Sequence, residues 1–281
     1  MGRDQKGSKK LEEQIVNRIN LLAIEHPLAF GLLVTIVFIL MTILSSVLGA
    51  IWPGEPYGHF TGSTIGRVIS IVILLMALAR LGWLRPAGFT RLGRPQAWLI
   101  GLVLLAYWVP VSAYAVTGNF DFSISNPVLL SVLILFFLAL GFLEEIAFRG
   151  LILSALVRVR GSTSGGPIKS VLVSALFFGG MHVIYITSGT PLPALPLQIL
   201  ETFFLGIFLG ALVLHGSSIY PAALFHGIVN LAAFLNLQAN AFDGVPTSSW
   251  LLICLLMLPI ALFGLYLLRG LPDRSIVPAA I

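Results

Sequence analysis

Apolar runs of about twenty residues recur along this sequence, and they restrict its fold more than any motif does. Eight of them lie at about 28–51, 65–84, 96–117, 128–154, 170–186, 195–214, 218–237 and 250–268. A hydrocarbon layer about 30 Å thick is crossed by about 20 residues of α-helix. Inside that layer every backbone N–H and C=O must be bonded within the chain, so each run reads as a membrane-crossing helix. Charged residues make up 10% of the chain, against about 25% in soluble domains. The expected fold is all-α: a polytopic membrane protein with eight transmembrane helices. Pro110 and Pro259 fall inside runs and are expected to kink them.

Charge between the runs is one-sided. Arg80, Arg85, Arg91 and Arg94 cluster at the end of the second run, Arg158, Arg160 and Lys169 follow the fourth, and Arg269 and Arg274 follow the eighth. Segments 52–64, 118–127, 187–194 and 238–249 contain no Lys or Arg. The positive-inside rule then puts both termini in the cytoplasm, and an even number of spans requires the same. The formal net charge of +5 is explained by topology. No basic patch alternates with aromatics, so nucleic acid is not an expected partner; the bilayer and a protein or peptide are.

Three regions are expected: a basic N-terminal segment (1–27), a single transmembrane domain (28–270) and a cytoplasmic tail (271–281). Apolar residues at positions 11, 15, 19 and 22 fit either a short helix over 11–24 lying on the membrane surface or a solvated basic tail that fixes orientation. The first run is longer than a signal-peptide core and reads as a retained span. Cys254 is the only cysteine, so a disulfide within one chain is excluded. Short loops and the lack of a eukaryotic targeting feature point to a prokaryotic plasma (inner) membrane.

Polar residues inside the runs are where function is expected, because charge at membrane depth is expensive. The fourth run carries Glu144, Glu145 and Arg149. Glu145 and Arg149 stand one helical turn apart, acid before base, and are expected to pair. Glu144 points to another sector and is expected to be the free carboxylate. The fifth run carries Phe178 and His182, and the seventh carries His226 and, one turn on, Asn230. At 1.5 Å per residue, Glu144 lies ~15 Å in from Ser154, His226 ~12 Å from Ser218 and His182 ~18 Å from Ser170. Three helices thus bring these side chains to one depth, the strongest sign of a site. Glu201, in the outer half of the sixth run, is a candidate for lining it. Gly206 and Gly210 form a small-x-x-x-small face, and Gly179, Gly180 and Gly227 are expected to let helices approach.

One glutamate with two histidines permits two chemistries. In the first, Glu144 takes a proton from water that attacks a peptide carbonyl, while His226 and Asn230 stabilise the oxyanion and His182 orients the water. In the second, Glu144, His182 and His226 bind Zn²⁺ and leave a position open for water. The H-E-x-x-H pattern of the common zinc-protease helix is absent. A non-catalytic immunity or adaptor protein, or a proton-coupled transporter using Glu144 and Glu201, are the competing classes.

Glu144-Glu145-x-x-x-Arg149, Phe178-x-x-x-His182 and His226-x-x-x-Asn230, in that order on successive runs, resemble the three motifs of the CAAX-protease and bacteriocin-processing family of intramembrane proteases. This family, also called the Abi family, includes the prenyl-protein endopeptidases. The likeness covers roughly residues 128–237. It implies an eight-helix fold with a conical catalytic cavity open to the cytoplasm. It also implies Glu144 as the residue activating water with help from His182, and His226 with Asn230 as the oxyanion hole. Glu145, Arg149 and Phe178 take supporting places. A mechanism without a metal is favoured. Substrates of the family are prenylated CAAX tails in some members and other peptides or membrane proteins in others.

Overall fold

The computed structural model describes residues 2–54, 57–117, 126–188, 192–238 and 247–269. The predicted tail, 271–281, lies outside them, as do most of 118–127 and 238–249. All of the regular structure described is helical. The elements are α1 (Gly2–Glu25), α2 (Pro27–Ile51), α3 (Gly58–Arg80), α4 (Pro95–Thr117) and α5 (Pro127–Glu145). A π-helical stretch, Ile146–Leu153, leads from α5 into α6 (Ser154–Arg160). They are followed by α7 (Gly166–Met181), a 3₁₀ stretch His182–Ser188, α8 (Leu195–Gly216), α9 (Tyr220–Gln238) and α10 (Thr247–Arg269).

The apolar runs become helices for readable reasons. Pro sits in the first turn of α2, α5, α7 and α8, where its missing N–H costs nothing. The Asn126 side chain caps α5, accepting from the N–H groups of Val128 and Leu129 at 3.0 and 3.1 Å. Among the described residues, six helical stretches are long and apolar enough to cross a membrane: Pro27–Ile51, Gly58–Arg80, Pro127–Arg160, Gly166–Ile186, Leu195–Gly216 and Thr247–Arg269. Two shorter apolar stretches, Pro95–Pro110 and Tyr220–Leu235, belong to α4 and α9. The exteriors of α2, α3 and α10 carry exposed Leu40, Leu44, Val68, Ile69, Leu255 and Leu262, while Thr35, Ser45, Ser63, Arg67 and Ser70 turn inward. Apolar outside and polar inside is the pattern of a multi-pass membrane protein.

Three boundaries differ from the hydropathy reading. The second span starts at Gly58 rather than 65. Its first turns are rich in Gly, Ser and Thr, which lowers hydropathy while letting α3 lie against α2. A Cβ on Gly62 would stand 2.7 Å from the Leu48 carbonyl oxygen, and one on Gly66 2.7 Å from Ser45 Cα. The fifth span changes character at its end, tightening into 3₁₀ geometry from His182. The fourth runs on to Arg160 through the π-helical stretch. At the N-terminus one helix, α1, covers the predicted 11–24 and more. It is pinned to the core where Trp83 Nε1 donates to Asn20 Oδ1 at 2.9 Å, and Arg158 stacks over the same Trp83 ring, its Cζ 4.4 Å from the centroid.

Two apolar clusters flank the middle of the bundle. One joins α2 and α3 to the π-helical stretch and α7 through Phe38, Leu78, Phe148, Ile152 and Phe178. The other joins α4, α8, α9 and α10 through Trp108, Phe208, Leu212, Phe225 and Met257. The polar residues of interest lie between them. Gly206 and Gly210 do form a packing face: a Cβ on the first would meet Ala175 and Phe178, and on the second Val171. Gly180 does not serve as predicted, since it is exposed and a Cβ there would meet nothing within 4 Å.

Candidate active site

Glu144 and Glu145 are the last residues of α5, and the backbone widens into π geometry immediately after them. Such turns are rare and recur at functional sites. Side chains answer the carbonyls the wider turn leaves open. Ser154 Oγ donates to Arg149 O at 3.2 Å, and Ser174 Oγ, from α7, donates to Phe148 O at 2.8 Å.

Glu145 and Arg149 pair as their spacing predicts, with Arg149 Nη1 donating to Glu145 Oε1 at 2.8 Å in a fully buried setting. Arg149 Nη2 donates to Gly206 O at 3.1 Å, and its Cζ lies 4.6 Å from the Phe178 ring centroid. Glu145 Oε1 also accepts a second bond, from His226 Nδ1 at 2.9 Å. The other nitrogen of that ring, Nε2, stands 3.2 Å from Glu144 Oε2. That contact has ion-pair distance without hydrogen-bond alignment, so Oε2 keeps no hydrogen-bond partner among the described residues. One imidazole thus lies between two carboxylates, held by one and merely near the other.

Backbone contact makes this meeting of helices possible. A Cβ on Gly141 of α5 would stand 2.6 Å from Gly227 N, and one on Gly227 of α9 would stand 2.9 Å from Phe137 O. Two glycines facing each other let α5 and α9 touch, three residues before Glu144 and one after His226.

His182 lies at the junction of α7 and the 3₁₀ stretch, with Nδ1 2.8 Å from the Phe178 carbonyl oxygen. A carbonyl only accepts, so Nδ1 carries the hydrogen. In the neutral ring Nε2 is then the lone-pair acceptor, turned away from that bond. The Phe178 ring packs edge-to-face against both imidazoles, with centroids 4.9 Å from His182 and 5.4 Å from His226. His182 makes no hydrogen bond or ion pair with Glu144. Asn230 is half-buried one turn beyond His226 and makes no hydrogen bond to Glu144, Glu145 or His226. Glu144, Glu145, Arg149, Phe178, His182 and His226 therefore form one buried cluster, with Asn230 at its border.

Two neighbours were not foreseen from sequence. Arg67 of α3 is buried, stacks 4.0 Å over the Phe136 ring, and lies within electrostatic reach of Glu144 and Tyr185. Tyr185 packs against the His182 ring at 5.5 Å. Glu201, half-buried on α8, is within electrostatic reach of Tyr185 but joins none of the contacts above. No three His, Cys, Asp or Glu side chains among the described residues are spaced to hold a metal ion, and both nitrogens of His226 already face carboxylates.

No curated protein matches the chain. The family model described as type II CAAX prenyl endopeptidase Rce1-like matches residues 126–232. That segment runs from the cap of α5 to the middle of α9 and holds every residue of the three motifs. The match links this part of the chain to the CAAX-protease and bacteriocin-processing family.

Proposed function

We propose that this protein is an intramembrane endopeptidase in which Glu144 activates water. The observation that carries the reading is the unequal treatment of two adjacent carboxylates. Glu145 takes the structural bonds to Arg149 and His226, both through Oε1, and its Oε2 is unbonded like that of Glu144; Glu144 stands beside His226 and makes neither bond. A carboxylate spared from structural duty and placed next to an imidazole is suited to proton transfer.

In this reading a water molecule sits between Glu144 and the unprotonated Nε2 of His182. Glu144 takes its proton as the oxygen bonds to the peptide carbonyl carbon. The oxyanion is met by His226 Nε2–H and the Asn230 amide. With Nδ1–H bonded to Glu145, His226 donates to the oxyanion from Nε2 in the form that carries a hydrogen on both ring nitrogens. Collapse of the adduct breaks the C–N bond, and Glu144 returns its proton to the leaving amine. Arg149 balances Glu145, and Phe178 fixes the attitude of both imidazoles. The chemistry is complete with these residues, without a metal.

We further infer eight crossings, because α4 and α9 extend through Thr117 and Gln238 beyond their shorter apolar stretches. Both termini face the cytoplasm of a prokaryotic inner membrane, with the scissile bond presented from that side. The exposed Leu11, Ile15, Leu21 and Ile24 of α1 then lie in the lipid headgroup layer. The substrate is a protein or peptide, of CAAX type or another processed tail. The test is cleavage of quenched peptides by purified protein in nanodiscs, followed by comparison of membrane peptides from cells carrying the native chain or Glu144→Gln. Activity that survives Glu144→Gln unchanged would overturn the reading.

A further inference from the structure

Arg67 is a cation that the mechanism above does not use. It reaches the site from α3, is 5% exposed, and stacks on Phe136. Its Nε and Nη1 have no hydrogen-bond partner among the described residues. A guanidinium withdrawn from water is costly unless its donors are answered, and a ring face offsets only part of that cost. Glu144 is close enough to act on it electrostatically, yet the two make no ion pair. Tyr185 is within reach of the charges of both Arg67 and Glu144 and touches the His182 ring. Arg67 thus lies beside the cluster, towards the Pro127 end of α5, since Phe136 lies two turns before Glu144, and Tyr185 flanks the cluster at His182.

We propose that Arg67, assisted by the Tyr185 hydroxyl, binds a carboxylate of the peptide substrate and so fixes which peptide bond reaches Glu144. The inference rests on the peptidase reading. A guanidinium matches the planar, two-oxygen geometry of a carboxylate. Phosphate fits less well, because Glu144 and Glu145 nearby repel a dianion. The carboxylate is either the C-terminus of the peptide or an Asp or Glu side chain, and both present the same chemistry to Arg67.

Binding to the Glu144→Gln protein in nanodiscs separates these cases without turnover. Three fluorescent peptides of one sequence are compared: a free C-terminal acid, its C-terminal amide, and the amide with one internal Glu. One carboxylate-bearing peptide should bind about tenfold or more tightly than the neutral amide, as expected for a desolvated charge-assisted contact. Which of the two does so identifies the source. The gap should close in Glu144→Gln/Arg67→Gln and narrow in Glu144→Gln/Arg67→Lys, which keeps the charge and loses the fork. Size exclusion and thermal melting check that each variant folds. Equal binding of acid and amide to Glu144→Gln, or a gap that survives Arg67→Gln, would overturn the proposal. Cleavage by the native protein with no carboxylate preference would sink this inference alone. A carboxylate preference without any cleavage would sink the peptidase reading and leave the binding site standing.

Discussion

Glu145 and His226, 81 residues apart in sequence, share a 2.9 Å hydrogen bond in the middle of the bundle. The bond makes Glu145 more than the partner of Arg149: it sets the ring that Glu144 faces. Substitution of Glu145 should therefore harm stability and activity together. Glu145→Gln leaves Arg149 buried without its counter-charge, an expected loss of about 3–5 kcal/mol. An apolar double replacement, Glu145→Leu with Arg149→Met, should recover most of that stability in thermal unfolding while peptide cleavage stays absent. Recovery of both would show that His226 needs no anchor.

The glycine contact between α5 and α9 makes a sharper structural prediction. Gly227→Ala should cost about 1–3 kcal/mol, because the added methyl meets backbone rather than a movable side chain. Cleavage should fall with it, as His226 moves from Glu144. Gly180→Ala, which meets nothing within 4 Å, serves as the control and should change stability by no more than about 0.5 kcal/mol. Melting curves and cleavage rates of the two variants check the pair.

What the sequence made legible was governed by local chemistry. Long apolar runs marked the helices, and one-turn spacings marked Glu145 with Arg149. Equal depths on three runs marked Glu144, His182 and His226 as neighbours. Arg67 escaped although it lies inside the second run, because no acid stands one turn from it (Ser63, Thr64, Ser70 and Ile71 do) and its approach to Glu144 depends on how α3 packs on α5. Tyr185 escaped because the 3₁₀ geometry after His182 follows no α-helical period. The bond from Glu145 to His226 depends on how α5 crosses α9, which no single run encodes. The π-helical turn after Glu145 has no signal in its residues that we can name.

His182 carries a test of its own. Its Nδ1 is committed to Phe178 O, so only Nε2 is left to touch water. His182→Ala should lower kcat by roughly 10²–10⁴ with little change in KM, since the ring is assigned to the water and not to the peptide. A rise in KM at unchanged kcat would move His182 into substrate binding.

Metal dependence is checked directly. The proposed chemistry predicts full activity after exhaustive chelation, and no stoichiometric zinc by elemental analysis of active protein. Activity that disappears on chelation and returns with added Zn²⁺ would replace the water-activating role of Glu144 with ligation.

The most direct measurement is the turnover of Glu144→Gln beside its thermal stability. Replacing a carboxylate whose Oε2 holds no hydrogen bond with an amide of the same shape should leave melting close to native. Removing the group that accepts the proton of water should at the same time reduce kcat by about 10²-fold or more. A folded Glu144→Gln protein that cleaves at the native rate would contradict the account at its centre.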